Sequence, residues 1–124
     1  MNLDSAATAA IVIEVWNGAP VERLRDVLAP DYRGHMLHLK DGERDADAYP
    51  GLIQQYRAGN PGAEFRVVEQ LASGDRLVSR LEARRFDGSS GAASVARGIN
   101  ISRFDTQGRL AEEWAIWSSW MDEA

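Results

Sequence analysis

The chain contains no cysteine, one lysine (Lys40) and two histidines (His35 and His38) in 124 residues. The missing cysteines exclude a disulfide scaffold, a zinc ribbon, an iron–sulfur cluster and a cysteine nucleophile. No long hydrophobic run is present either. Residues 1–10 carry no basic side chain and lead into an apolar stretch of about ten residues, too short for a membrane span. No membrane partner and a cytoplasmic location are therefore expected. Basic charge is scarce: Lys and Arg total 14 against 19 Asp and Glu, a formal net charge of −5. An acidic protein repels a phosphate backbone unless its basic residues cluster. The densest basic group, Arg80, Arg84 and Arg85, is interleaved with Glu82 and Asp87, so nucleic acid is not an expected partner. The glycines form neither G-x-G-x-x-G nor a phosphate-binding loop. The His35–His38 pair has no third metal ligand fixed by spacing, although Asp31, Asp41 and Glu43 are near in sequence. Neither a cofactor nor a metal is expected.

What is present is ordinary for a folded chain: 44% hydrophobic and 27% charged residues, enough for one core and one domain spanning residues 1–124. Asp4 or Ser5 caps a first helix whose Ala9, Val12, Ile13 and Trp16 recur at helical spacing until Asn17-Gly18 stops it. Pro20 opens a second short helix lined by Val21, Leu24, Val27 and Leu28, which Pro30 ends. The segment DYRGHMLHLKDGERDAD reads as loop. A third helix is predicted from about Asp47 to Arg57, capped by Asp45 or Asp47, with Leu52, Ile53 and Tyr56 on its apolar face. Beyond Gly62 the period becomes alternating. Strands are predicted from Phe65 to Leu71, Arg76 to Phe86, Val95 to Asp105 and Arg109 to about Trp120, with a small-residue loop over Asp87–Ser94. In the second of these, Leu77, Ser79, Leu81 and Ala83 form one face and Arg80, Glu82 and Arg84 the other. Helices gathered before antiparallel strands make the fold class α+β.

The order of these elements, DYRGH before the third helix, Gly74-Asp75-Arg76 before the long strand and the motif RFDTQGRLAEEW resemble the SnoaL-like polyketide cyclase family of the nuclear transport factor 2-like superfamily. Asn60-Pro61-Gly62 stands where such sequences often carry Phe-Pro-Asp. The resemblance runs from about Ala6 to Ser118. It implies a cone in which a curved antiparallel sheet wraps around three N-terminal helices and encloses a mostly apolar pocket. It also implies a homodimer formed through the outer sheet face. Arg80, Glu82 and Arg84 could meet their own copies there, or simply face solvent.

His35 falls on the family's histidine position at the pocket mouth. An imidazole suits proton transfer beside a carbonyl, while a backbone-satisfied loop histidine explains it equally; His38 reads as structural or exposed. The family's general acid/base is an aspartate four residues after the tryptophan of Glu-x-Trp. Counted from Trp114, that position holds Ser118. A serine hydroxyl is too weakly acidic or basic to replace a carboxylate, though it can hydrogen-bond a ligand oxygen. Asp122, four residues on, lies near a terminus. The departure argues against the standard aldol cyclisation. By strand parity Glu112 points inward with Leu110, Trp114, Ile116 and Ser118, and a buried carboxylate there is either a replacement acid/base or a structural group. Asn100 shares its face with Gly98, Ser102 and Phe104 and could polarise a carbonyl.

The candidates for ligand contact are Tyr32, Tyr56, Trp114, Trp16 and Phe104, with Trp114 and Trp120 on one face and Trp117 on the other. Packing in the core or a dimer explains the tryptophans as well. Two expectations follow: an acid/base enzyme of polyketide-cyclase type acting on a small apolar or aromatic oxygenated metabolite, or a non-catalytic ligand-binding or dimerisation protein on the same fold.

Overall fold

The computed structural model describes residues 4–86 and 90–123. Helix α1 (Ser5–Trp16) begins at Asp4, whose Oδ1 accepts from the backbone N–H groups of Ala6 (2.8 Å) and Ala7 (3.2 Å). These are donors that the first helical turn cannot satisfy internally. Asp4→Ala is expected to cost about 1 kcal/mol, seen as a lower urea midpoint with an unchanged m-value. Pro20 precedes a single 3₁₀ stretch, Val21–Asp26, shorter than the helix expected. Helix α2 (Tyr49–Gly59) lies two residues later than predicted. Pro50 sits in its first turn, and Asp45 accepts from the Ala48 N–H at 2.9 Å.

The segment read as loop is a strand, β1 (Leu28–Met36), followed by the short β2 (Glu43–Asp45). Tyr32, Gly34 and Met36 alternate with exposed Asp31 and Arg33 and partly covered His35. This inward row lacks the β-branched residues that normally announce a strand. Strands β3 (Glu64–Ser73), β4 (Arg76–Phe86), β5 (Ala93–Phe104) and β6 (Leu110–Trp117) form the expected meander, and β7 (Met121–Asp122) pairs again with β5. Of the predicted loop, residues 87–89 lie outside the described residues, and Ala93 and Ser94 belong to β5. Strand β4 has the predicted ends and the predicted buried face, Leu77, Ser79, Leu81 and Ala83.

The strand order is β2-β1-β6-β5-β4-β3, antiparallel except for the parallel β1–β6 pair, so the curved sheet is mixed and does not close. Its inner face packs on the helices through Val12, Val15, Leu24, Tyr32, Tyr49, Ile53, Phe104 and Leu110. The fold class is α+β, a curved sheet wrapped around three helices. Among the described residues no helix is long and apolar enough to cross a membrane.

Two irregularities set where side chains point. Phe104 is opposite Leu110, but Arg103 is opposite Glu112, so Ala111 is an extra residue, a β-bulge, in β6. Because strand parity is 2, one extra residue turns every later side chain to the other face. The second irregularity follows Trp117. The chain leaves the ladder at Ser118, which keeps contact through its N–H to the Arg97 carbonyl (2.8 Å), and rejoins β5 at Met121.

Candidate functional site

A cavity of about 290 Å³ lies between the helices and the inner sheet face. Its walls are apolar and aromatic: Trp16 from α1, Leu52 and Tyr56 from α2, Phe65 from β3, and Trp117 and Trp120 from the end of the chain. Trp16 is the hub, with Tyr56 and Phe65 ring centroids each 5.4 Å away and its indole N–H donating to Tyr49 Oη at 3.0 Å. The most exposed lining residues are His38, Leu39 and Ser118, which places the opening there. Volume and lining suit a small organic ligand.

The carboxylate in this cavity is Glu113, with only 3% of its surface exposed. Tyr32 Oη donates to Glu113 Oε1 at 2.5 Å and Asn100 Nδ2 donates to Oε2 at 2.9 Å. Ser102 Oγ in turn donates to Asn100 Oδ1 at 2.7 Å, which directs the amide NH₂ toward the carboxylate. A buried charge needs such partners. Burial pushes the phenols of Tyr32 and Tyr49 well above their ordinary range, and the Glu113 charge adds to it. Burial also pushes Tyr56 up to about 12, against the nearby Arg85 charge. All three are neutral donors or acceptors near pH 7.

Gly34 and Gly98 make room for this arrangement. A Cβ at Gly34 would overlap Tyr32 Oη, and one at Gly98 would overlap the Trp117 indole. Neither glycine has a positive φ, so close approach rather than backbone freedom is what they supply.

The bulge at Ala111 corrects the inward assignment of Glu112. That residue stands on the outer face, accepting from Arg103 (3.3 Å) and joined to His35 Nε2 (2.8 Å). The His35 hydrogen bond and the Arg103 charge hold the Glu112 carboxyl below its usual range. His35 itself is away from the cavity mouth. It is on the outer face, bridging Glu112 and Glu43 (2.9 Å) and stacked on Trp114 at 5.5 Å. Trp114, with Arg76 5.2 Å above its ring, is outside for the same reason. The histidine that lines the cavity is His38, whose Nδ1 accepts from the Trp117 N–H at 3.3 Å. Burial lowers its pKa against a hydrogen bond with the Ala115 carbonyl.

Asn100 faces inward and lines the cavity, as do Trp16 and Tyr56. Tyr32 lies beneath the floor, reaching the cavity only through Glu113, and Phe104 is core, with 3% of its surface exposed. Ser118 lines the opening, but its hydroxyl accepts from Arg97 N and donates to the Ser119 carbonyl, both at 2.9 Å. The break at Ser118 also turns Trp120 to the cavity side, where parity had set it opposite Trp117. The sequence carried one signal for Glu113: Leu110 and Ala111 are consecutive apolar residues in an alternating strand, where a bulge fits. Among the described residues no three His, Asp or Glu side chains are grouped to hold a metal ion.

A family model described as a SnoaL-like domain matches residues 10–113. The fold superposes on IdmH from Streptomyces antibioticus, a candidate polyketide cyclase, with a TM-score of 0.81 and 25% identity over 94% of this chain and 93% of that one. A loop-truncation variant of IdmH gives 0.80 and 27% over 93% of each chain. A candidate polyketide cyclase from Acidithiobacillus ferrooxidans has the same fold at a TM-score of 0.72 and 22% identity, covering 89% of this chain and 84% of that one. No curated protein matches the chain significantly.

Proposed function

The chain belongs to the SnoaL-like domain family, with a nuclear transport factor 2-like fold, and from that premise we propose that it is a cytoplasmic acid/base enzyme of polyketide-cyclase type. Its substrate is a small, apolar, oxygenated metabolite, and its reaction an enolisation followed by ring closure, isomerisation or dehydration. The observation that carries this reading is a buried carboxylate in a mostly apolar, aromatic cavity. Glu113 takes the proton from carbon beside a carbonyl and returns it, the role that Ser118 is unfit for and that Glu112 cannot fill from the outer face. Tyr32 and Asn100 hold the carboxylate in place. Trp16, Tyr56 and Trp117 enclose the rings of the ligand.

The test is transfer of solvent deuterium into a panel of polycyclic β-keto esters and steroid-like ketones, read by mass spectrometry. Protein-dependent label beside the carbonyl, abolished in Glu113→Gln, supports the reading. Ligands bound without any exchange would make this a binding protein on the same fold.

The same reading includes a homodimer. Arg80, Glu82 and Arg84 already pair within the chain, with Glu69, Arg66 and Glu123. Two neighbouring rows across the outer face, Val78–Ile101–Trp114 and Arg80–Ile99–Ile116, leave Ile99 and Ile116 half exposed. A contiguous apolar patch of this kind fits a self-complementary contact. Ile99→Asp is expected to convert a dimer into a monomer, measured by light scattering after gel filtration. A wild-type chain that is monomeric at high micromolar concentration overturns this.

A further inference from the structure

We propose that the cavity selects its ligand by charge: it accepts an uncharged molecule oriented with a hydrogen-bond-donating or C–H-acidic end toward Glu113, and rejects one carrying an anionic group at that end. This rests on the cavity being the functional site, but not on Glu113 transferring a proton.

Three donors near the floor are already engaged. Tyr32 Oη and Asn100 Nδ2 donate to the two Glu113 oxygens, and the Trp16 N–H donates to Tyr49 Oη. No arginine or lysine side chain is among the described residues that line the cavity. Arg57 and Arg85, packed behind the lining, are held outside it. Arg57 donates to the carbonyls of Gly18 and Ala19, both at 3.1 Å. Arg85 bonds Asn60 and lies 4.2 Å from the centroid of the Trp120 ring, the indole that lines the wall. The potential is therefore negative at the floor, and its positive counterpart sits behind the wall. Apolar surroundings screen such a field poorly, so a second negative charge near Glu113 is strongly disfavoured. A neutral ligand with one donor end is drawn in that end first.

The probes are 2-naphthol, 2-naphthoate and 2-naphthylmethylammonium, with dissociation constants measured by isothermal titration calorimetry. Wild-type protein is expected to bind the naphthol at least about 10-fold more tightly than the naphthoate. Glu113→Gln is expected to tighten naphthoate about 10-fold and to weaken the ammonium by a similar factor. Opposite signs are diagnostic, because a change of packing would move all three probes together. If Glu113→Gln fails to fold, Leu39→Lys at the exposed rim replaces it and is expected to tighten naphthoate several-fold while weakening the ammonium. Naphthoate binding within threefold of naphthol in the wild type overturns the inference, as does a common shift of all probes or the absence of saturable naphthol binding. Deuterium exchange is read separately: charge selection without exchange removes the catalytic role alone, and exchange without charge selection removes only this inference.

Discussion

Glu113→Gln is expected to lower proton exchange on an accepted carbon acid by about 10²–10⁴-fold, the usual contribution of one positioned acid or base. Glutamine keeps the shape and can still accept from Tyr32, so the fold is expected to survive. The amide NH₂ then faces the Asn100 NH₂, which at 2.9 Å from a carboxylate oxygen is now a donor without an acceptor. Asn100 can respond by exchanging its amide oxygen and nitrogen, with the Ser102 hydroxyl rotating from donor to acceptor. Glu113→Ala is the harsher change, because it strands two buried donors at about 1–3 kcal/mol each. Full exchange activity in a folded Glu113→Gln protein would remove this residue from the reaction. Glu112→Gln is the control, since that carboxylate is on the other side of the sheet and its loss should leave exchange unchanged.

Gly34→Ala is expected to damage stability and activity together. The added methyl group would overlap Tyr32 Oη, and Tyr32, with 1% of its surface exposed, cannot give way without disturbing the core around it. Overpacking of this kind costs about 1–3 kcal/mol, seen as a lower urea midpoint. The displaced phenol also loses its 2.5 Å bond to Glu113. Tyr32→Phe separates the two effects. It removes the donor while keeping the ring, so it should lower exchange without the steric cost of the alanine. If Gly34→Ala changes neither midpoint nor exchange, the close approach of Tyr32 to Gly34 does not matter to the protein.

How much of this was legible in the sequence depended on local regularity. Strand β4 could be read residue by residue because Leu77, Leu81 and Ala83 alternate with arginines and Glu82 and nothing interrupts the period. Helix α1 announced its cap and its stop. Strand β1 was hidden because Pro30, Gly34 and His35 interrupt its apolar pattern, and its long pairing partner, β6, lies about eighty residues away. The inward carboxylate was missed by one position. Two adjacent glutamates follow Ala111, and the bulge there, fixed by the register with β5 and hinted at only by the adjacent apolar pair Leu110-Ala111, decides which of them enters the cavity. The choice between the histidines failed for a related reason. His35 sits on a strand whose parity turns it outward, while His38 lies in the turn that forms the rim.

An unclosed sheet has two free borders, and this one treats them differently. Strand β2 ends one side after three residues, too short to recruit another chain. Strand β3 ends the other with ten residues and a half-bare Leu71, which by length is a template for unlimited strand addition. Val68 is an extra residue between Val67 and Glu69, so the border bends in its middle, and Glu64, Arg66 and Glu69 charge it on both sides of the bend. A straight incoming strand would meet a broken ladder and a row of charged side chains. The detour at Val68 thus guards the protein against fibrous aggregation.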